Sequence, residues 1–380
     1  MKKIYLAVLL SLILLLLLPI IGNSFAQNIL NKKIENLQSQ GITLKKTITD
    51  SSYLSTKKEY HLLYTKSGEE MVIGVGVEYS NILFNKEISI EIYPISFSEE
   101  IMKNREFSQF LKDKSFLSHI DYNLVTQDFS GYIKDIKQQY SLQNSTTISI
   151  LLLNTRFDGK GDLTDPEILN STIKQLSIDI SEGSKKRKLH IKDLFSSLIV
   201  DNKDIKLQLT SKNSFDSLEF TMDEKKFQFL DFNYSLNVTE IDKDSFMEFQ
   251  DRLATDATDI EQIIIKLLSK GIDISIDDFS IKNIVINNQS FDGFKLSSKF
   301  LFAKDSDLAN KFKNNPIKIR SNIQTEMELH ISKKIFNELV KTSSMIGLMK
   351  LYAKERGDNY IFKVMFKDDK LKVNSKVLSL

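Results

Sequence analysis

The residues able to do chemistry in this chain are few and scattered. Its four histidines, His61, His119, His190 and His330, form no His-x-His or His-x-x-x-His pair. A helical metal motif, which needs two imidazoles on one helix face, is therefore absent, and each histidine is expected on the surface or in a turn. The loop Asp158-Gly159-Lys160-Gly161-Asp162-Leu163-Thr164-Asp165 resembles a calcium site in its carboxylate spacing, but Lys160 takes the third position, where an oxygen ligand is required. It reads instead as a turn followed by a helix cap. The paired acids Asp277-Asp278 and Asp368-Asp369 point to opposite faces if they lie on strands, so neither pair makes an acid and base acting on one substrate. Serines are common, yet no Gly-x-Ser-x-Gly elbow and no supported Ser-x-x-Lys set occurs. Cysteine is absent, which excludes thiolate nucleophiles, disulfides, cysteine zinc sites and an acylated lipoprotein cysteine. No catalytic, cofactor-binding or metal-binding residue is assigned, and no cofactor is expected.

The elements around these residues are mainly strands. Glu87-Ile88-Ser89-Ile90-Glu91-Ile92-Tyr93 puts Ile88, Ile90 and Ile92 on one side and Glu87, Ser89 and Glu91 on the other, the period of a half-buried strand. The same alternation marks residues 205–209, 272–276, 317–323 and 370–373. Thr65-Lys66-Ser67-Gly68 and Asn287-Asn288-Gln289 read as hairpin turns, and strands joined by such short turns pair antiparallel. Helical spacing predicts a helix opened by Asp165 and Pro166, with Ile168, Leu169, Ile173 and Leu176 on one face. Two more helices fall within residues 244–270: Phe246, Phe249 and Leu253 face the core in the first, Ile260, Ile263, Ile264, Leu267 and Leu268 in the second, and Gly271 closes the patch. A last helical stretch starts near Ser332, carries Ile335, Phe336, Leu339, Val340, Ile346, Leu348, Met349 and Tyr352, and ends near Gly357. The expected fold is α+β, predominantly antiparallel β: long twisted sheets with several packing helices after an N-terminal hydrophobic segment.

That segment sets the compartment. Lys2 and Lys3 precede residues 4–21, an uncharged apolar run whose roughly 27 Å as a helix (1.5 Å per residue) nearly spans a bilayer. Basic residues before it keep its start in the cytoplasm and place the rest outside. Ser24-Phe25-Ala26, after the helix breakers Pro19 and Gly22, offers a signal-peptidase site, so residues 1–26 are either a retained anchor or a cleaved signal peptide. Residues 27–380 form the exported part, with a soft seam near residues 183–188, where Ser184-Lys185-Lys186-Arg187-Lys188 reads as a solvated loop. The two leading lysines account for the whole excess of 52 basic over 50 acidic residues. A charge-balanced body lacks the basic footprint of a nucleic-acid partner.

The C-terminus carries a resemblance. A helix beginning near Ile335 is followed by Gly357-Asp358-Asn359-Tyr360-Ile361-Phe362 and then Asp369-Lys370-Leu371-Lys372-Val373-Asn374. This looks like the closing hairpin of the bacterial YdgA-like family, which ends in a helix, a strand with a tyrosine and a strand of Leu-x-Val/Leu-Asn-Gly pattern. Leu267-Leu268-Ser269-Lys270-Gly271-Ile272-Asp273-Ile274 followed by residues 290–298 is similar to the family's helix-into-strand passage, and Gly41-Ile42-Thr43 with Ser52-Tyr53-Leu54-Ser55 to its first hairpin. Ser375 stands where the family usually has glycine, and Gly271 where it often has proline. The resemblance implies an envelope protein with an N-terminal membrane segment, a periplasmic domain and no assigned chemistry.

Together these readings point to a non-enzymatic periplasmic protein, held in the inner membrane by residues 4–21 or released after cleavage near Ala26, with a structural or interaction role toward envelope proteins. A first alternative is a carrier of hydrophobic ligand such as lipid, in a sheet groove closed by the helices near residues 246–268 and 335–352. A second is a hydrolase whose groups meet only in space.

Overall fold

The computed structural model describes residues 27–28, 30–32, 42–66, 69–82, 87–97, 116–141, 146–163, 165–203, 205–222, 225–254, 260–342 and 344–378. Residues 1–26, with the apolar run and the cleavage site, lie outside the described residues, as do Gly41 and the Ser67-Gly68 turn. No helix among the described residues is long and apolar enough to cross a membrane. Strands dominate, and every strand pairing with a resolved register is antiparallel. The chain divides into two compact units, residues 1–165 with 178–184, and residues 166–177 with 185–380.

The first unit runs β1 (Ile42–Ser51), β2 (Ser55–Lys66), β3 (Glu69–Ser80), β4 (Glu87–Ser96), β5 (Ser118–Asn123), β6 (Asp128–Ile133), β7 (Ile136–Ser141) and β8 (Thr146–Asp162). Each strand from β1 to β5 pairs with the next, and β6 and β7 both pair with β8. Alternate residues build the core face: Thr56, Lys58, Tyr60 and Leu62 of β2 are buried with Val77 and Tyr79, Ile88 and Ile90, and Ile120 and Tyr122. Thr56 sits in this face because its hydroxyl donates to Asn81 Oδ1 at 2.9 Å, satisfying a group that would otherwise cost free energy when buried. The alternation read in residues 87–93 holds at Ile88 and Ile90, both buried, but not to its end, where Ile92 is half-buried and Tyr93 is buried instead.

Strand β9 (Asp165–Glu182) is divided between the units. It replaces the helix expected after Asp165-Pro166. Its β-branched Ile168, Thr172, Ile173, Ile178 and Ile180 favour extended backbone, and Leu176, Ile178 and Ile180 already alternate. The apolar spacing at 168, 169, 173 and 176 fits a helix only by coincidence with strand neighbours. The lysine run is not a loop either. Gly183 (φ +57) and Ser184 make the turn, and Lys185 begins β10, where Arg187 and Lys188 pair with Met222 and Thr221. All four histidines likewise lie in strands rather than turns, and Asp158 and Asp162 belong to β8, with no helix cap beyond them.

The second unit is a meander of β10 (Lys185–Lys203), β11 (Lys206–Met222), β12 (Lys225–Asp242), β13 (Ile272–Ile286), β14 (Gln289–Phe302), β15 (Ile323–Ser332), β16 (Lys354–Arg356), β17 (Asn359–Lys367), β18 (Lys370–Val373) and β19 (Lys376–Leu378). Sequential neighbours pair, except that β15 pairs with β17 and β16 lies on the other edge of β17. Two-residue turns with both residues at positive φ close three hairpins: Asn287-Asn288, Asp368-Asp369 and Asn374-Ser375. That geometry matches the strand twist, and it gives Asp368-Asp369 a turn role.

Helices α1 (Lys243–Ala254) and α2 (Ile260–Ser269) separate β12 from β13. Helix α3 (Leu308–Asn314) and a 3-10 turn (Pro316–Asn322) separate β14 from β15, and α4 (Lys333–Thr342) and α5 (Ser344–Met349) separate β15 from β16. The α1–α2 pair lies where the sequence reading puts it, though Ile264 is exposed rather than on the core face; the last helical stretch begins as read but stops at Tyr352, where β16 follows, and leaves Leu339, Leu348 and Met349 exposed. Residues 317–322 do not form the strand read there, because the segment opened by Pro316 coils into the 3-10 turn and only Ile323 enters a strand. Helix α4 lays Ile335 and Phe336 on Ile284, Phe291, Ile331, Tyr360 and Phe362, the last fully buried. At the sheet end carrying α1–α3, a second core gathers Leu207, Ile241, Ile272, Phe302 and Leu308.

One level of this sheet departs from regular pairing. The β10/β11, β11/β12, β12/β13 and β13/β14 ladders each lack pairs where Asp193, Asp216, Asp231, Lys282 and Gly293 fall side by side, with the same register on either side of the gap. Asp193 (φ +52) and Asp231 (φ +54) are left-handed there. Across this line the faces exchange: Ile281 and Ile284, and Phe291 and Phe294, each three apart, join a single core cluster. An unbroken strand would place them on opposite sides.

Candidate functional site

An apolar cavity of about 330 Å³ opens between α2 and α3. Ile260, Ile264, Ile265 and Leu268 form one wall, Phe302 of β14 the floor, and Leu308, Phe312 and Ile319 the other wall, with Glu261 the one ionisable residue in the lining. Local sequence places each part. Ile263 is buried beneath α2, so Ile260, Ile264 and Leu268, at i, i+4 and i+8, face outward to the cavity. Gly271 at φ +85 stops the helix, with its N–H donating to Leu268 O at 2.9 Å; a side chain is disfavoured at that φ, and proline is impossible. Helix α3 is held by Asp305, which accepts from Lys311 Nζ at 2.7 Å and from the Asp307 N–H at 3.0 Å. The Lys311 hydrogen bond keeps the Asp305 carboxyl below its ordinary pKa. Leu308 and Phe312, at i and i+4, then complete the wall.

The size falls at the lower end of the range for small-ligand sites, and an apolar lining with one polar residue is their usual make-up. Ile264 and Phe312 are each 40% exposed, so the cavity is reachable from solvent. The α2 side was legible from helical periodicity. Phe302, Leu308 and Phe312 fall outside the elements read from the sequence, although the Leu308–Phe312 spacing ahead of Pro316 is a short helical signal, and Ile319 lies in the 317–323 run that reads there as a strand but forms the 3-10 turn.

The first unit holds the closest approach to catalytic geometry. His119 Nε2 lies 3.4 Å from Ser89 Oγ and 3.3 Å from Asp121 Oδ1, and the ring stacks on Tyr132. In a nucleophilic triad the acid and the serine engage opposite ring nitrogens, so that one orients the imidazole while the other receives its base. Here both meet Nε2, and the imidazole cannot relay a proton between them. A second cluster joins Tyr93 Oη and His61 Nε2 to Glu59 Oε1 at 2.8 and 2.9 Å. Burial, and then the Glu59 hydrogen bond, push the Tyr93 phenol far above its ordinary pKa, which makes it a poor proton donor at neutral pH. His330 pairs with Glu328 at 2.7 Å, and Lys363 with the other oxygen at 2.9 Å.

The remaining acids stay apart. Asp277 accepts from Asn237 Nδ2 at 2.5 Å, while Asp278 faces Lys295 at 3.7 Å. No group of three or more acidic or histidine side chains able to hold a metal occurs among the described residues. Comparison with protein-family models, curated proteins and solved structures found no match for this chain. A groove of about 910 Å³ also runs over β13–β18 of the second unit, bordered by Lys299, Glu326, Glu328, Lys354, Lys363 and Lys372. Its alternating charges suit a polar surface contact better than a small apolar ligand.

Proposed function

We propose that this chain is an exported envelope protein of YdgA-like type that works in the periplasm without catalysis and binds an apolar group between α2 and α3. One observation carries the reading: an open cavity walled by Ile260, Ile264, Leu268, Phe302, Phe312 and Ile319. A cavity lined this way excludes polar ligands by desolvation and rewards an alkyl chain or ring. The basic, apolar N-terminal run supports delivery across the inner membrane, where such ligands are abundant. The charge-alternating groove over β13–β18 supports a second role, contact with an envelope protein through matched polar pairs.

The test is native purification of the full chain, followed by extraction and mass spectrometry for bound amphiphile. The same protein is titrated with a fluorescent fatty acid. Wild type is expected to carry or take up about one ligand, and Ile264→Trp, which fills the cavity, to lose it without a fall in melting temperature. Absence of ligand and of uptake in the wild type overturns the reading.

A further inference from the structure

The antiparallel register brings one end of the second unit's sheet to a single level, since Lys203 pairs with Lys206, Lys206 with Asp242, Ile272 with Phe302, and Phe302 with Ile323. At this end lie the β10–β11 turn, α1, α2, α3 and the 3-10 turn, and several large apolar side chains there are exposed. Ile205 is 72% exposed and Ile317 65%, with Met247, Ile264 and Phe312 also exposed. Large side chains left in water at one end of a sheet mark a docking surface.

The charges beside them indicate what docks. Residues 304–320 hold five cations, Lys304, Lys311, Lys313, Lys318 and Arg320, against Asp305 and Asp307. Asp305 is committed to Lys311, while Lys313, Lys318 and Arg320 are exposed. Ile317 stands between them in sequence, and the three-residue repeat of the 3-10 turn sets Ile317 and Arg320 on one edge. Acidic groups at this end include Asp201, Glu240, which pairs with Lys206 at 3.6 Å, and Asp242, with Asp244 and Glu248 of α1, the latter paired with Lys266 at 2.5 Å, and Glu261 at the cavity. A protruding apolar tip within a cationic segment, next to an apolar cavity, has the make-up of an interfacial lipid contact.

We propose that this end of the second unit docks on an anionic phospholipid surface, with Ile317 entering the headgroup–acyl boundary and Lys313, Lys318 and Arg320 meeting lipid phosphates. The inference rests on the cavity reading above in naming an acyl chain as the group taken up between α2 and α3. The surface contact itself is separable from that uptake.

The chain contains no tryptophan, so Ile317→Trp introduces a unique reporter. The full-length variant is mixed with vesicles carrying brominated acyl chains, either phosphatidylglycerol-rich or purely phosphatidylcholine, and fatty-acid uptake is followed in parallel. Tethering by residues 4–21 does not by itself bury residue 317, so quenching reports insertion rather than mere attachment. The expected result is strong quenching with the anionic vesicles only. It should fall at least tenfold in affinity when Lys313, Lys318 and Arg320 are all changed to Glu, and weaken with salt. Met222→Trp, at the opposite end of β11 and 49% exposed, should stay unquenched. Equal quenching at 317 and 222, equal quenching by both lipids, or none at 317 overturns the inference. Uptake without quenching removes the surface contact and leaves the cavity reading intact, whereas quenching without uptake removes the cavity reading.

Discussion

Asn374 reaches back from the last tight turn and clamps Ile361: its Nδ2 donates to the Ile361 carbonyl at 2.7 Å while its Oδ1 accepts from the Lys363 N–H at 2.9 Å. The same Nδ2 donates to Tyr352 O at 2.7 Å. One side chain therefore ties β17 and the segment after α5 to the β18–β19 turn. Asn374→Ala leaves these backbone groups without partners and is expected to cost about 2 kcal/mol. Denaturant unfolding measures the loss, and hydrogen exchange should show it concentrated at β17–β19. Unchanged stability would mean that water replaces the clamp.

Its neighbour Ser375 sits at φ +74, a left-handed conformation that only glycine adopts without penalty. Glycine is also what the resemblance leads one to expect there. Ser375→Gly should raise stability by about 0.5–1 kcal/mol, the left-handed cost less glycine's extra unfolded-state entropy. A neutral or destabilising result would show that the Ser375 hydroxyl contributes more than its backbone costs.

Periodicity reveals strands where the faces are constant, as in residues 87–90, and helices where apolar residues recur over three turns, as in α2. It fails where the backbone changes hand. Phe291 and Phe294 share a core only because pairing skips at Gly293, and no count of alternating residues contains that information. The run after Asp165 shows the converse failure, because adjacent Ile168 and Leu169 imitate helical spacing in a strand that uses both faces. The cavity was half legible for a related reason. Its α2 wall comes from one helix, but Phe302, Phe312 and Ile319 meet it through the long-range pairings Ile272↔Phe302 and Phe302↔Ile323.

Gly293 offers a sharp test of this interruption in the pairing. A Cβ there would lie 1.8 Å from the Ile281 carbonyl oxygen, against backbone that cannot swing aside as a side chain could. Gly293→Ala should cost at least about 3 kcal/mol, the upper end for overpacking, and disturb the Ile281–Phe294 pair. Gly76→Ala, whose added carbon meets only ordinary contacts at 3.7 Å or more, is the matched control and should be near neutral. Similar melting curves for the two variants would show that the sheet relaxes at this line.

Asp242 caps α1 and so supports one side of the cavity's core. Its Oδ1 accepts from Ser245 Oγ at 2.7 Å and from the Ser245 N–H at 3.1 Å, and these bonds, the hydroxyl's first, hold its pKa below the ordinary 3.8. A carboxyl depressed on folding stabilises the protein above its unfolded pKa, and that stability is lost as pH falls through the lower folded value. Asp242→Ala should therefore cost about 1 kcal/mol at pH 7, with the gap to wild type closing below pH 4. A gap that persists at pH 2 would show that the residue acts through packing.

Tyr93 works in the opposite sense. Its ring lies where a Cβ on Gly74 would come, 2.6 Å from the nearest ring atom, so the missing side chain makes room for a buried phenol that donates to Glu59 at 2.8 Å. Burial, then the Glu59 hydrogen bond and charge, raise its pKa, because the phenolate would be desolvated beside a carboxylate. An acid raised on folding contributes stability that is complete below the ordinary phenol value near 10 and is lost as pH climbs toward the folded value. In an ultraviolet titration Tyr93 should ionise later than a free phenol, and in step with alkaline unfolding. Tyr93→Phe should remove that late phenol, cost about 1 kcal/mol at neutral pH, and flatten the alkaline decline. If the late phenol survives in the variant, Tyr60 and Tyr79, also raised first by burial, carry the alkaline transition instead.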